Sequence, residues 1–300
     1  MSRPSVDVVV PFKGGPRSLR AVRERLGAIE LRPGDSVLVV DNTSGAPAPP
    51  EGGVPVLRAA ELPTPAFARN RGAERGSAEW LVFCDADTRP DPAVLDRYFE
   101  PEPAPRTGLL AGGVIEQEAP PGSPVVARYS YLRGAMTQDD TFSFGEWGYP
   151  KSANIACRRT AFEEVGGFRE GIRAAEDADL TYRLRAAGWE LERRERAAVV
   201  HASRKTLRGF VTQKAVWGAG GEWISRAYPG SVPLLARTSF WRWALSATAG
   251  ALAELLRGAD RDAVILAFFR PLEAVAWELG RLLPNERPVP ESSPWRRVLR

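Results

Sequence analysis

An α/β fold with a mostly parallel central sheet and a carboxyl-terminal helical extension is predicted by three features of the sequence. Val6 to Pro11 and Asp35 to Asp41 are short, β-branched apolar runs, the pattern of strands buried on both faces. Between them, Ser18 to Ile29 carries Leu19, Val22, Leu26 and Ile29 at helical spacing, which completes a strand-helix-strand unit. Beyond Pro229 the strand signals stop, and two helical patterns, Ser239 to Arg257 and Asp262 to Leu283, join at Gly258 ahead of a Pro-rich tail.

The remaining elements follow in order. Val54 to Arg58 predicts a third strand, Ala66 to Arg75 a helix and Trp80 to Cys84 a fourth strand. The crossovers are long enough for parallel pairing, which gathers the loops after these strands at one sheet edge, where α/β proteins hold ligands. Leu109 to Gln117 predicts another strand. The stretch rich in Gly, Pro and aromatics to about Pro150 has no period and predicts long loops with a short helix. Ala153 to Arg158 and Ala197 to His201 predict strands, and Glu176 to Ala187 a helix stopped at Gly188. The domain division expected is residues 1–228 for the α/β part and 229–300 for the helical extension and tail.

Composition narrows the functional classes. The 300 residues are 44% hydrophobic and 26% charged, enough to bury a large core and too apolar for a disordered chain. Two cysteines, Cys84 and Cys157, lie far apart, which excludes a disulfide scaffold and a cysteine-rich zinc module and suits a reducing, cytoplasmic setting. Basic residues exceed acidic ones by only four, with no block of like charge, so nothing selects nucleic acid or anionic lipid as a partner. The amino terminus enters a strand directly, without a signal peptide's basic start and cleavage site, and predicts no export by that route. No stretch of 18 residues is free of charge, which argues against a membrane span.

The first strand runs into Pro11-Phe12-Lys13-Gly14-Gly15, which lacks both GxGxxG and a P-loop's GK[ST]. The chemistry is carried instead by Leu81-Val82-Phe83-Cys84-Asp85-Ala86-Asp87, an apolar strand that delivers two carboxylates onto the following loop. Hard divalent cations take carboxylate oxygens together with substrate phosphates, so a metal-bridged diphosphate is one reading. The other is that Asp85 and Asp87 form a turn before Arg89-Pro90.

Further motifs stand in order along the chain: Ala68-Arg69-Asn70-Arg71-Gly72, Asn154-Ile155-Ala156-Cys157-Arg158-Arg159, Val165-Gly166-Gly167-Phe168-Arg169, and Glu176-Asp177-Ala178-Asp179-Leu180 with Arg183-Leu184. Taken with the Asp-Ala-Asp loop, they resemble the family 2 glycosyltransferases, inverting enzymes of the GT-A fold that use nucleotide-diphosphate sugars. The resemblance covers roughly residues 5 to 225. It implies a divalent metal cofactor, Mn²⁺ or Mg²⁺, a nucleotide-diphosphate sugar donor, and a saccharide, lipid-linked or small-molecule acceptor.

Carried onto this sequence, the resemblance implies that Pro11 and Asp41 hold the nucleobase, Asp41 as acceptor from a base N–H. Asp41-Asn42 as plain turn residues is the alternative. Arg69 matches a residue that approaches the nucleotide, against the alternative of a solvated arginine. Asp85 and Asp87 match the metal motif, Asp87 as the direct ligand. Asp177 matches the catalytic base, which takes the acceptor hydroxyl's proton, while the metal offsets charge on the leaving diphosphate. For Glu176, Asp177 and Asp179 the alternative is a helix N-terminus that favours acids, with Asp179 and Arg183 as an i, i+4 pair. His201, the only histidine, is open between ligand of the metal or diphosphate and structural residue. Arg204 and Lys205 would neutralise phosphate charge or are solvated surface.

Two departures qualify the match. Processive members carry QxxRW, whereas this chain reads Gln213-Lys214-Ala215-Val216-Trp217, which favours transfer of a single sugar. The acidic-acidic-Gly-Ser pattern after the second strand is replaced by Asp41-Asn42-Thr43-Ser44, which leaves the base undefined. A sugar nucleotidylyltransferase would need a Gly-rich loop after the first strand, and Pro11 to Gly15 does not supply it. A non-catalytic sugar-nucleotide or polymer-binding protein of the same fold is the rival of a different class. Tyr129, Tyr131, Trp147 and Tyr149 could stack on a sugar or pack in a core. The apolar faces of the two carboxyl-terminal helices, with Trp295-Arg296-Arg297 beyond them, predict packing on protein, a homodimer contact, or peripheral attachment to the inner face of a membrane.

Overall fold

A computed structural model describes residues 3–45, 51–232 and 237–289; the Trp295-Arg296-Arg297 segment lies outside the described residues. Along the chain the elements are β1 (Val6–Phe12), α1 (Pro16–Leu26), β2 (Ser36–Asp41), β3 (Val56–Arg58), α2 (Pro65–Ala73), β4 (Trp80–Cys84), β5 (Thr88–Pro90), α3 (Val94–Tyr98) and β6 (Thr107–Glu116). They continue with α4 (Val125–Arg133), α5 (Asp139–Phe142), β7 (Asn154–Arg158), α6 (Arg159–Glu164), α7 (Glu176–Ala186), β8 (Glu190–His201), α8 (Leu207–Ala227), α9 (Arg237–Leu256) and α10 (Arg261–Gly280). The chain forms two compact units. The first comprises residues 1–115, 137–201 and 286–300, the second residues 116–136 and 202–285.

The first unit holds an eight-stranded sheet of order β3-β2-β1-β4-β7-β6-β8-β5. Pairing is parallel across β3-β2-β1-β4, as the crossovers predict, while β7 runs antiparallel to both β4 and β6. Period-2 alternation explains why the central strands read as unbroken apolar runs. On β1 and β4, Val6, Val8, Val10, Trp80, Val82 and Cys84 pack with Leu19, Val22 and Leu26 of α1 and with Leu95 and Tyr98 of α3. Val9, Leu81 and Phe83 point the other way, onto Phe67 of α2, Phe162 of α6 and Leu180 and Leu184 of α7. Both faces are therefore dry, and the sheet is the middle of three layers.

Close approach fixes α2. A Cβ on Gly72 would stand 2.2 Å from Val9 Cγ1 and 2.9 Å from Val40 Cγ2, so only glycine lets the helix lie this near β1 and β2. Gly188, at φ +81°, ends α7 as its sequence position predicts.

The structure extends the sequence reading in three places. β8 begins at Glu190 rather than Ala197, because its first half alternates charged residues with a buried Arg194, whose Nε donates to the Tyr98 carbonyl at 3.0 Å. The three-residue β5 is too short to carry a period. The stretch before Pro150 holds α4 and α5, where a single short helix is predicted.

The second unit is helical. Its boundary differs from the predicted division at residue 229, because α8 and the chain from residue 116 to 136 belong with the carboxyl-terminal helices. The cause is close packing: a Cβ on Gly218 of α8 would fall 1.9 Å from the Trp277 carbonyl oxygen, and one on Gly280 of α10 would fall 2.0 Å from that of Ala215. Tyr129 is fully buried against Phe210 and Phe269, so it is a core residue of this unit. On α9, Phe240, Ala244 and Ala251 are buried, whereas Trp241, Leu245, Leu252 and Leu256 form an exposed stripe. Among the described residues no helix is long and apolar enough to cross a membrane.

Candidate active site

The parallel register sets the ends of β1, β2 and β4 along one edge of the first unit, with Phe12 opposite Asp41. Asp41 is buried and both its oxygens are engaged: Oδ1 accepts from Thr43 N at 2.9 Å, and Oδ2 pairs with Arg58 Nη1 at 2.7 Å. Asn42 fastens the same turn by donating to the carbonyls of Ala59 and Leu62. The turn reading of Asp41-Asn42 thus describes their geometry, and an acceptor role would require a share of Asp41 now held by Arg58. Pro11 lies inside β1, one residue before its end.

Strand pairing also explains the Asp-Ala-Asp loop. Asp85 leaves β4 with its amide on the Ala153 carbonyl at 3.3 Å and its own carbonyl capped by the Thr88 hydroxyl at 2.7 Å. The chain then enters β5, which pairs antiparallel with β8 so that Thr88 faces His201. Asp87, one residue ahead of β5, is thereby carried to the end of β8, and its Oδ1 stands 3.7 Å from the buried His201 Nε2. Asp85 turns away, onto Arg69 Nη2 at 2.7 Å.

A carboxylate and an imidazole side by side form a donor set that fits a hard or borderline divalent cation, with its remaining positions left to phosphate and water oxygens. Among the described residues no three His, Cys, Asp or Glu side chains converge as a ready cage. Asp87 and His201 are therefore the pair placed to hold a metal, and Asp85, with its Oδ1 on Arg69, stands at the start of the same loop.

The third part is the start of α7. Ala175, at φ +69°, is a non-glycine residue in the left-handed region, and it turns the chain into the helix immediately before the acidic pair. Asp177 accepts from Ala178 N at 2.9 Å and from Ser152 N at 3.3 Å. Burial first, and then the adjacent Glu176 carboxylate, push the Asp177 carboxyl up to about 7. A carboxyl group in that range can take a proton at neutral pH. Asp179 has a different job: it is fully buried between Arg183 at 2.7 Å and Arg169 at 3.3 Å, and the i, i+4 pairing read from the sequence holds.

One side chain joins these parts. Arg69, 2% exposed, reaches Glu176 Oε1 with Nη1 at 2.8 Å and Asp85 Oδ1 with Nη2 at 2.7 Å, and its guanidinium lies 5.3 Å from the Phe168 ring centre. A single buried cation therefore ties the metal-motif loop to the first residue of the Glu-Asp pair. Its Nε has no hydrogen-bond partner. Sequence reasoning placed Arg69 toward the nucleotide and missed this bridge, because spacing does not reveal that α2 and α7 lie on the same sheet face.

Aromatic residues stand beside Asp177. The Tyr182 hydroxyl donates to the Trp147 carbonyl at 2.9 Å, and the Tyr182 ring meets those of Trp147 and Tyr149 edge-on at 5.0 and 6.2 Å. Burial and then the Asp177 carboxylate hold the Tyr149 phenol well above its ordinary pKa, so it stays neutral. Of the four aromatics singled out in the sequence, Trp147 and Tyr149 belong here. Tyr129 and Tyr131 belong to the second unit, as do Arg204 and Lys205, which are exposed ahead of α8.

Comparison with known proteins gives the family and the fold. The chain is 28% identical over 238 residues to a pre-mycofactocin glycosyltransferase of Mycobacterium tuberculosis, a match that covers 76% of this chain and 49% of that protein. It is 30% identical over 125 residues to the glycosyltransferase AglE of Haloferax volcanii, covering 41% of this chain and 40% of that one. The chain thus spans about half or less of the length of these curated relatives. Among solved structures, a mannosyltransferase from Pyrobaculum calidifontis in complex with GDP-Man and Mn²⁺ shares the fold, with a TM-score of 0.59, 16% identity, and coverage of 94% of this chain and 88% of that one. The profile described as glycosyl transferase family group 2 matches residues 80–278, from β4 through most of α10, and the chain belongs to that family.

Proposed function

We propose that the protein is a metal-dependent, inverting glycosyltransferase that moves one sugar from a nucleotide-diphosphate donor to an acceptor hydroxyl, with Asp177 as general base. The observation that carries this reading is the Arg69 bridge, which couples the Asp85 loop to Glu176, next to a carboxyl group raised to about 7. In the proposed step the acceptor oxygen attacks the anomeric carbon from the face opposite the diphosphate. Asp177 takes the hydroxyl proton, and the bond from the anomeric carbon to the diphosphate oxygen breaks. Asp87 and His201 would hold a divalent cation, whose chemistry is to offset charge on the departing diphosphate. Support for the metal comes from the donor set itself and from the similarly folded mannosyltransferase, whose complex contains Mn²⁺.

Assay of a panel of UDP-, GDP- and dTDP-sugars tests the reading, with transfer or donor hydrolysis as the readout. Activity is expected to vanish in excess chelator and to return with Mn²⁺ or Mg²⁺, and Asp87→Ala is expected to weaken nucleotide-diphosphate binding. Full activity in chelator would remove the metal from the mechanism. Donor binding without transfer or hydrolysis across acceptors would favour the non-catalytic alternative.

The exposed stripe of Trp241, Leu245, Leu252 and Leu256 on α9 suits a bilayer surface, with Arg242 exposed on the same helix and Arg257 exposed in the turn after it. A lipid-linked acceptor would then be met at a membrane. Co-sedimentation with anionic liposomes is expected, and the double substitution Leu245→Glu and Leu252→Glu should abolish it. A protein that stays in the supernatant would leave the stripe to a protein contact.

A further inference from the structure

The second unit contains a pocket of about 500 Å³ that the proposed transfer chemistry does not use. Its walls come from α4, α8, α9 and α10, and they are mainly aromatic: Trp217, Trp243, Trp277, Phe240 and Tyr129. The base of the pocket is preorganised. Lys214, 3% exposed, pairs with Glu273 at 2.6 Å and lies 4.1 Å above the Trp217 ring centre, and the Tyr129 hydroxyl donates to the other oxygen of Glu273. Glu273 is thus satisfied from two sides. The other carboxylate in the wall, Glu278, is held by Arg281 at 2.8 Å.

Arg133 and Arg270 also line the pocket, and both stand near enough to the Tyr129 hydroxyl to act on it electrostatically. The wall therefore presents three cations, Arg133, Lys214 and Arg270, of which Lys214 is the partner of Glu273, and two carboxylates that are both paired. Arg270 is exposed and forms no ion pair among the described residues. Indole and phenyl faces favour flat apolar groups, and a guanidinium favours a carboxylate, sulfonate or phosphate held in its fork. The volume lies in the range of small-molecule sites.

We propose that this pocket binds an organic anion with a flat apolar body, the body lying among Trp243, Trp277 and Phe240 and the anionic group on Arg270. The proposal stands apart from the glycosyltransferase reading, because binding is measured without donor or turnover. Three tryptophans in the wall supply the signal.

Titration of the 300-residue chain with 2-naphthyl phosphate, followed by tryptophan quenching and by calorimetry, should give saturable one-site binding. Naphthalene alone and inorganic phosphate alone should each bind at least about tenfold more weakly, since each lacks one half of the recognition. Arg270→Gln, at an exposed side chain, should weaken binding by about tenfold while leaving the thermal midpoint in place, and Trp243→Ala should do likewise. Asp87→Ala, which weakens the donor site of the other unit, should bind the probe as the parent does. Absence of saturable binding would overturn the proposal, as would an affinity unchanged by both pocket substitutions. Equal affinity for naphthalene and its phosphate would overturn the anionic part. Loss of binding in Asp87→Ala would place the probe in the other unit and overturn the site.

Discussion

Asp177→Asn is expected to lower turnover by about 10²–10⁴ with donor affinity nearly unchanged, because the substitution keeps the size and hydrogen-bonding shape of the side chain and removes only its capacity to take a proton. The pH dependence gives the same test a second axis. A base must be deprotonated to act, so kcat/KM of the parent should rise with pH through about 7, where the Asp177 carboxyl is placed by burial and by Glu176. That limb should be missing from the residual activity of the variant. Stability moves oppositely. A carboxyl raised in the folded state binds its proton more tightly there than in the unfolded chain, so its ionisation costs stability progressively as pH rises from about 4 to about 7. Asp177→Asn should therefore gain thermal midpoint relative to the parent across that window and level off above it. Near-normal turnover in the variant would return the base role to Glu176, since Asp179 is closed between two arginines.

The parts of the fold that were legible in the sequence are those with a strong local period. Val6 to Pro11, Asp35 to Asp41 and Trp80 to Cys84 are apolar without interruption because helices cover both faces of the sheet, and burial of that kind writes itself into every position. β5 and the first half of β8 were not legible for the opposite reason. Three residues cannot show a period, and in Glu190 to Arg196 the charged side chains pair along the strand itself, Arg193 with Glu195 and Arg194 with Glu192, so polarity misrepresents a strand as surface. β5 pairs with the end of β8, Val199 to His201, and so carries Asp87 to His201; the sequence showed that end of β8 as a strand but not the short partner that joins the two residues.

The same distinction holds within the site. The Asp-Ala-Asp and Glu-Asp motifs announce themselves by their order along the chain, and Asp179 by its i, i+4 partner. Ion pairs between distant segments leave no such trace. Asp85 reads as a metal residue from its motif, which does not reveal that its Oδ1 pairs with Arg69, and Asp41 reads as a base acceptor without revealing its pair with Arg58. Lys214 stands where the processive motif would continue from Gln213, and it is in fact the buried cation of an aromatic pocket. Motif position specified the neighbourhood of each group, and tertiary packing specified its partner.

Arg69 carries the second large expectation. Its guanidinium is the cation shared by the partly exposed Asp85 and the buried Glu176, and Arg69→Met would leave Glu176 without its partner in a buried position. Removal of one partner from a buried ion pair typically costs about 3–5 kcal/mol, because the remaining charge keeps its desolvation penalty. Urea unfolding should show a loss of that order at pH 8, with an unchanged slope. Arg69→Lys keeps the charge, but one ammonium cannot span two carboxylates as a planar fork does, so it should restore only part of the loss. The bridge also bears on Asp177, whose carboxyl Arg69 helps to hold down against burial and Glu176. In both variants the midpoint of the kcat/KM profile should therefore move to higher pH, a response that a purely structural arginine would not produce. Unfolding and pH midpoints that match the parent in Arg69→Met would show that Asp85 and Glu176 find other partners, and that the metal-motif loop and the base are held in place independently.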